Sequence, residues 1–299
     1  MTRLNSGWLA AASATVLLLA MGPALAQDAA VPQNDNLNAV LWDQTSVEFK
    51  AVTAGEYALG KMRLDEALAD KTWTAAPAEQ TGSFADLPPA VILDVDDTTV
   101  NTSAYQSWNV TAGTSYSGKT WGPYVAAEQD VALPGAVDFT KYADSKGVKV
   151  FYVTNRTADQ EAATKEEMTK MGFPDGGNVD TYLMAKEQPD WGSAKGTRRA
   201  FIAKNYRILL LFGDNMGDFT DQYGGSVADR DKVYEADIAH WGHDWIALPN
   251  PPRFQISEQT APSRLGAAVP GSLAARSVNT RSRMEMTSPA VYPIRLAAR

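Results

Sequence analysis

The sequence predicts an α/β protein in which helices flank a parallel β-sheet. Short apolar runs alternate with segments of helical periodicity, and the strongest runs are continuously apolar, as is typical of parallel strands covered on both faces. The predicted strands span residues 90–93, 148–153, 181–184, 208–212 and 245–248. A chain of 299 residues is long enough to build a sizeable core around such a sheet.

Helical periodicity is clearest in residues 37–68, where apolar side chains recur at spacings of three and four. This segment predicts one or two amphipathic helices, with a break at Gly55 or Gly60 if there are two. The other predicted helices cover residues 133–146, ended by Gly147, 158–171 and 194–205. They lie between predicted strands, where the crossover helices of a parallel sheet belong.

Residues 101–133 are rich in Ser, Thr, Gly and aromatic side chains and show no clear periodicity. A segment of this length is uncommon as a mere connection and is typical of lids and binding loops. We therefore expect a small cap inserted around residues 101–133 into a core formed by residues 87–250. A linker and helical segment, residues 27–86, precedes this core.

Both ends of the chain are predicted to lie outside the core. Arg3 precedes an apolar stretch at residues 8–20, and Ala-Leu-Ala before Gln27 offers an A-x-A cleavage site. Residues 1–26 therefore have the pattern of a secretory signal peptide, with a buried N-terminal helix as the alternative. We expect a periplasmic or secreted protein with no membrane anchor after signal cleavage. Residues 251–299 are basic and unpatterned, and we expect little order there.

The amino-acid composition limits which catalytic and metal-binding side chains are available. The chain has no cysteine and two histidines, which excludes thiolate sites and disfavours histidine-based phosphatase chemistry. An oxygen-bound hard cation such as Mg²⁺ is then the expected metal. The net charge is −8, and because the first 26 residues carry +1 and the tail carries +5, residues 27–250 carry −14. This strong negative charge disfavours nucleic-acid polymers and anionic membranes as binding partners, because both are themselves negatively charged.

Three acids follow the first predicted strand: Asp94, Asp96 and Asp97 in the sequence DVDDTT. Crowded carboxylates repel one another, so they commonly bind a cation or move protons. An acidic turn that ends the strand is one alternative. A calcium loop is another, but Thr99 stands where the loop needs Gly, and Tyr105 where it needs Glu. The remaining interpretation is a D-x-D-x-T phosphotransfer motif, which needs partners elsewhere in the chain.

Polar groups end two further predicted strands, namely Thr154 and Asp214. The carboxyl ends of parallel strands face one crevice, so these groups are expected near the DVDDTT acids. Asp218 follows in GDNMGDF, and Lys195 precedes the third strong strand in SAKGTRR. Each residue alone has an ordinary structural explanation. Together they supply carboxylates, a hydroxyl and a cation, which is the set that phosphoryl transfer requires.

The order of these motifs resembles that of the haloacid dehalogenase (HAD) superfamily. Within it, ILDVDDTTVNTSAY, FYVTNR, LPGAVDF and LLLFGDNMGDF are similar to the signatures of bacterial class C acid phosphatases, which are exported and 5′-nucleotidase-like. The resemblance covers residues 38–250 and implies a HAD-like Rossmannoid sheet. Asp97 stands where Glu is usual, and Met216 where Leu is usual. The absence of cysteine rules out the lipoprotein anchor that relatives often carry.

The resemblance implies a role for each acid. Asp94 would attack phosphorus and form an aspartyl-phosphate. Asp96 would protonate the leaving oxygen and then activate water. Mg²⁺ would be bound by Asp94, by Asp96 through its backbone carbonyl, and by Asp214. Asp97 has no role in this scheme, so its side chain is expected to point away from the pocket or to cap local backbone.

The resemblance also implies how the phosphate is bound. Thr154, Asn155 and Lys195 would contact its non-bridging oxygens, and Asp218 would orient Lys195 or the metal ligands. Trp121, among the aromatic residues of the cap, is the candidate for contact with a substrate base.

The expected activity is hydrolysis of small phosphate monoesters, with nucleoside monophosphates as candidate substrates. A phosphotransferase and a catalytically silent phosphate-ester-binding protein are the alternatives, and a homo-oligomer is an open expectation.

One decoy motif competes with this interpretation. Residues 113–120 match the P-loop pattern G-x-x-x-x-G-K-T literally. A P-loop must follow a hydrophobic strand and open a helix. Polar residues precede this segment, and Gly122-Pro123 is expected to break a following helix early, so we disfavour a nucleotide-binding P-loop.

Overall fold

The computed structural model describes residues 36–252, and its centre is a five-stranded sheet in which all neighbouring strands pair in parallel. The strand order is β5-β4-β1-β6-β7. The five strands are β1 Pro89–Leu93, β4 Lys149–Thr157, β5 Tyr182–Ala185, β6 Arg207–Gly213 and β7 Trp245–Ala247. The predicted parallel α/β sheet is confirmed, and β1 with its DVDDTT sequence lies at the centre, flanked by β4 and β6.

Strand β4 is longer than predicted. It continues beyond Val153 through Thr157, and its pairing with β5 shifts register between Thr154 and Thr157. Polar residues at 154–156 read as a strand end in the sequence. In the fold they stay extended, and the side chains of Asn155 and Arg156 bind Arg198 and Asp96, which are distant in the sequence.

Two helices, α1 Leu37–Thr45 and α2 Val47–Ala69, form the N-terminal helical segment. The predicted break at Gly55 or Gly60 is wrong, because the chain breaks at Ser46. This residue is extended (ψ 141°), and its hydroxyl accepts a hydrogen bond from the backbone N–H of Phe49, which caps α2. Gly60 remains helical and instead allows the helix to approach β6 closely, since a Cβ there would lie 2.5 Å from Phe212 Cζ.

The cap contains regular structure that its composition did not predict. Helices α3 Ser103–Ala112 and α4 Gly118–Ala126 lie between two short antiparallel strands, β2 Val100–Asn101 and β3 Val131–Ala132. The buried side chains of Tyr105, Trp121 and Val125 form a separate small core. Irregularly spaced aromatic residues therefore stabilise two short helices, which a search for helical periodicity misses.

The P-loop motif lacks the strand that must precede a P-loop, although helix α4 begins within it at Gly118. Residues 113–120 follow helix α3 and not a strand, and Gly113 ends that helix in a left-handed conformation (φ 63°). The expected early break at Gly122-Pro123 is wrong, however. Pro123 lies inside α4, which continues to Ala126.

The remaining helices follow the predicted order. They are α5 Ala136–Ser145, α6 Glu161–Met171, preceded by a 3₁₀ turn Ala158–Gln160, and α7 Gly196–Ala203. Gly147, in a left-handed conformation, follows α5 as predicted. None of the helices between residues 36 and 252 has the length and apolar character needed to cross a membrane.

The described residues divide into two compact units, one comprising residues 36–221 and 239–252 and the other residues 222–238. The second unit contains helix α8 Val227–Ala236, which the sequence did not predict. The start of this helix is marked in the sequence by Ser226 and Asp229. In the structure these two residues form a capping box, in which the side chain of each accepts a hydrogen bond from the backbone N–H of the other. The predicted signal peptide and all of the tail from residue 253 onward lie outside the described residues.

Candidate active site

The site begins where β1 ends. Asp94 is buried, and its backbone N–H donates to the carbonyl of Phe212 on β6 (3.0 Å), so the sheet holds it in place. The chain then turns tightly, and Asp97 adopts a left-handed conformation (φ 57°) with its N–H donating to the carbonyl of Val100. This turn places the buried side chains of Asp94 and Asp96 at the carboxyl edge of the sheet.

Lys195, which immediately precedes α7, joins two of the predicted acids. Its Nζ lies 2.5 Å from Asp94 Oδ1 and 2.6 Å from Asp218 Oδ1. Burial opposes the charge of Lys195, but the two carboxylates outweigh it and raise the pKa of the lysine. Burial also raises the pKa of Asp218, against the opposing effect of Lys195. The predicted role of Asp218 in orienting Lys195 therefore fits the geometry.

Strand β4 contributes Thr154 and Asn155. Thr154 is fully buried, and its hydroxyl oxygen accepts a hydrogen bond from the N–H of Arg156 (3.0 Å). The Asn155 side chain is engaged elsewhere, since its amide donates to Ser193 O and accepts from Arg198. A phosphate contact made by Asn155 would therefore use its backbone N–H and not its side chain.

Asp214 follows β6 and shares a donor with Asp97. The Asn250 amide donates to Asp214 Oδ2 at 2.7 Å and to Asp97 Oδ2 at 3.1 Å, and the Thr98 hydroxyl lies 3.3 Å from Asp214 Oδ1. Asp97 also accepts from the backbone N–H of Thr102 (2.9 Å), so the prediction that it caps local backbone is confirmed. The sequence did not predict its link to Asp214 through Asn250.

Three carboxylates are close enough to bind one cation. Asp94, Asp214 and Asp218 each offer an oxygen, and these atoms lie within 4.8 Å of one another. Such an all-oxygen set suits a hard divalent cation. Because one ammonium group, that of Lys195, contacts both Asp94 and Asp218, a divalent cation here would reduce the repulsion among the carboxylates. The donor set therefore fits a metal ion.

Asp96 is bound by a buried arginine that sequence reasoning missed. Arg156 is fully buried, and its Nη2 lies 2.8 Å from Asp96 Oδ1 and 2.6 Å from Asp130 Oδ2. Its Nη1 lies 3.3 Å from Glu167 Oε2. The carboxylates raise the pKa of Arg156 despite its burial, and burial raises the pKa of Asp130 to about 7. The motif FYVTNR contained this residue, but no local pattern indicated its partners.

Trp121 is placed differently from the sequence prediction. Its ring is buried in the cap core, edge-on to Tyr105 with centroids 4.9 Å apart, and the Arg156 guanidinium lies 5.8 Å from its centroid. Because the Trp121 ring is buried against these neighbours, it offers little surface on which a substrate base can stack. The geometry therefore disfavours Trp121 as the residue that contacts the base. Trp108 and Tyr116, which are 45% and 54% exposed, are the accessible aromatic residues of the cap.

A parallel sheet that gathers carboxylates, a lysine and a threonine hydroxyl at its carboxyl edge defines the class of protein as a phosphoryl-transfer enzyme. The family model of HAD superfamily subfamily IIIB (acid phosphatase) matches residues 9–253, and the chain belongs to this family. The predicted family is thereby confirmed, as is its activity class, phosphomonoesterase.

Solved structures agree with this assignment. The chain is similar to the class C acid phosphatase from Bacillus anthracis, with 34% identity over 73% of this chain and 84% of the other, and a TM-score of 0.63. A second structure of that enzyme, with tungstate bound, matches with the same values. The HAD-like fold predicted from the sequence is therefore confirmed.

Proposed function

We propose that this acid phosphatase is exported and hydrolyses phosphate monoesters, with nucleoside monophosphates as substrates, in a Mg²⁺-dependent reaction through an aspartyl-phosphate. The observation that carries this proposal is the arrangement of Asp94: a buried carboxylate at the end of the central strand, 2.5 Å from Lys195 and two residues before Asp96. The two acids have different partners, which suits them to different roles.

The reaction has two steps. In the first, a carboxylate oxygen of Asp94 attacks phosphorus, the bond to the ester oxygen breaks, and the leaving oxygen takes the proton of Asp96. In the second, Asp96 removes a proton from water, the resulting hydroxide attacks the aspartyl-phosphate, and the bond between phosphorus and Asp94 breaks. Inorganic phosphate and free Asp94 result.

The phosphate is bound by neighbouring groups of the same edge. The Thr154 hydroxyl, the Asn155 N–H and the Lys195 ammonium would contact its non-bridging oxygens and stabilise the charge of the transition state. Lys195 contacts Asp94 directly in the structure, so it is already at the reacting carboxylate. Asp218 holds the other side of the lysine and limits its movement.

Asp94, Asp214 and Asp218 would hold the cation, joined by the backbone carbonyl of Asp96 as the resemblance implies. When bound, Mg²⁺ supplies a Lewis acid that screens the nucleophile from the phosphate charge. Asn250 and Thr98 orient Asp214 by donating to its two oxygens. The metal ligands are thus held by neighbours before a cation arrives.

Nucleoside monophosphates are supported as substrates by the class C resemblance and by the exposed aromatic rings of the cap. Tungstate, a tetrahedral oxyanion like phosphate, is bound to the related Bacillus anthracis enzyme. A panel of phosphate esters compared by kcat/KM tests this preference. Release of inorganic phosphate without transfer to an added alcohol would separate a hydrolase from a phosphotransferase.

Replacement of the two acids tests the mechanism. Asp94→Asn and Asp96→Asn should each lower turnover of p-nitrophenyl phosphate by about a thousandfold or more, because each removes a group that bonds to the reacting atoms. Asp86→Asn, at an exposed ion pair with Lys71, is the control and should keep full activity. Undiminished turnover in both active-site variants would refute the proposal.

Export and assembly are tested separately. Cleavage at the predicted site would give a mature N-terminus at Gln27, which mass spectrometry of the intact protein from the periplasm or medium would detect. An uncleaved N-terminus on active protein would contradict export through a signal peptide. Light scattering of the purified protein would show whether it is a homo-oligomer.

A further inference from the structure

Arg198, in the first turn of α7, is a buried arginine whose hydrogen bonds all go to segments around the proposed phosphate site. Its two terminal nitrogens donate to four backbone carbonyls and one side-chain oxygen: Thr154 O (2.5 Å), Leu183 O (3.4 Å), Asn155 Oδ1 (2.8 Å), Gly192 O (2.9 Å) and Ala194 O (3.4 Å). One guanidinium thus joins the end of β4 to the loop that leads into Lys195.

No acid in the described part of the chain neutralises the charge of Arg198 by direct contact. Among residues 36–252, no carboxylate lies within ion-pair distance of its guanidinium, and its Nε has no hydrogen-bond partner. Burial lowers the pKa of Arg198, and the more distant charges of Asp94 and Asp218 offset this in part. A buried cation without a contacting anion is costly, so its retention calls for a reason.

Arg207 shows that burial alone does not supply that reason. It is also buried. Within the part of the chain that the structure describes, its Nε has no hydrogen-bond partner either, and its Nη1 donates to the backbone carbonyls of Ala67 and Asp70. Arg207 begins β6 and therefore lies at the amino edge of the sheet, opposite the site. Arg198 differs from it in which segments it joins.

We propose that Arg198 is a positioning residue that holds the Thr154 hydroxyl and the Lys195 ammonium in register for a phosphoryl dianion, with its own positive charge behind that site. This inference rests on the proposed function. Thr154 and Lys195 belong to different segments, 41 residues apart, and Arg198 contacts both segments directly. Without Arg198, the two phosphate-binding side chains, Thr154 and Lys195, would be free to shift independently of each other.

The positioning role requires the two terminal nitrogens of the guanidinium, because they bind different segments. The informative variant is therefore Arg198→Lys. Lysine keeps a positive charge, but its single ammonium cannot span both segments as the guanidinium does. The matched control is Arg207→Lys, which replaces another buried guanidinium bound to backbone carbonyls, at the opposite edge of the sheet. Arg198→Gln then removes the charge as well. Thermal unfolding of each protein measures the cost to folding.

Two readouts separate positioning from stability. Binding of inorganic phosphate, measured calorimetrically with Mg²⁺ present, needs no turnover, and kcat/KM for p-nitrophenyl phosphate reports the reaction. In Arg198→Lys we expect phosphate to bind about tenfold more weakly, or about 1.4 kcal/mol. We expect kcat/KM to fall about a hundredfold, since a displacement of about 1 Å can have that effect. Arg207→Lys should change both values less than about threefold.

The results of these two measurements distinguish a positioning role of Arg198 from a purely structural one. Unchanged phosphate binding in folded Arg198→Lys, equal losses in the two lysine variants, or misfolding confined to the Arg198 variants would overturn the positioning role. A wild-type protein that binds phosphate but hydrolyses no ester would refute the proposed function instead. The calorimetric comparison of Arg198→Lys with Arg207→Lys would still stand in that case.

Discussion

Asp43, at the residue scale, is a buried carboxylate on α1 that takes no part in the proposed reaction. Its Oδ1 has no hydrogen-bond partner among the described residues. Burial, with a smaller contribution from Asp97, raises its pKa from 3.8 to about 7. The folded state therefore binds a proton more tightly than the unfolded state. This contribution to stability is present below pH 3.8 and is lost as the pH rises to about 7.

Replacing Asp43 with Asn should remove the free-energy cost of burying the ionised carboxylate. At pH 8 the free energy of unfolding should rise by about 1–3 kcal/mol, because the amide has no charge to desolvate, whereas at pH 4 the gain should vanish. Urea denaturation at the two pH values measures the difference. Asp86→Asn, at a fully exposed carboxylate, serves as the control. An equal gain at both pH values would show that protonation of Asp43 is not responsible.

Helix α2, at the element scale, contains two glycines in different surroundings. A Cβ added at Gly55 would meet no atom of residues 36–252 within 4 Å, whereas one at Gly60 would lie 2.5 Å from Phe212 Cζ and 3.2 Å from Phe139 Cε2. Phe212 immediately precedes Gly213 and Asp214, so this contact joins the helix to the strand that carries a proposed metal ligand. Gly60 is thus a packing residue and not the helix break that the sequence predicted.

The two positions should respond in opposite directions to alanine. Gly55→Ala should stabilise the protein by about 0.5–1 kcal/mol, since alanine favours the helix and meets no obstacle. Gly60→Ala should destabilise it by about 1–3 kcal/mol through overpacking against Phe212. Chemical denaturation of both variants provides the measurement. A stabilised Gly60→Ala protein would mean that α2 and β6 separate without cost.

The carboxylates of the site, at the scale of the whole molecule, should couple metal binding to stability. A cation that binds only the folded protein stabilises it by about 2.7 kcal/mol at one hundred times its Kd. For a domain of this size we expect Mg²⁺ to raise the melting temperature by about 5–10 °C. EDTA should reverse the shift, and Asp214→Asn should reduce it. Differential scanning calorimetry tests this without any substrate.

The control for this experiment is Asp86→Asn, which should retain the full shift because Asp86 is paired with Lys71 away from the three clustered carboxylates. Identical melting temperatures with Mg²⁺ and with EDTA would count against the metal site. They would leave the assignment to the acid phosphatase family intact, because that assignment rests on the sequence and the fold.

The sequence by itself determined the sheet and the places of the principal acids. Short continuous apolar runs, bounded by turn residues and alternating with helical segments, fit strands of a sheet covered on both faces, and parallel strands bring their carboxyl ends to one edge. Asp94, Thr154 and Asp214 are therefore together at that edge, as predicted. Local rules also predicted Gly147 after α5, because a left-handed residue commonly ends a helix.

Only the tertiary structure decided which distant groups become partners. Arg156 binds Asp96, 60 residues away, together with Asp130 and Glu167, and Asn250 joins Asp97 to Asp214. Periodicity reports which side chains are buried, but it does not report which of many buried polar groups meet. That choice depends on the packing of helices and cap against the sheet, and it gives Asp94 and Asp96 different neighbours within one short motif.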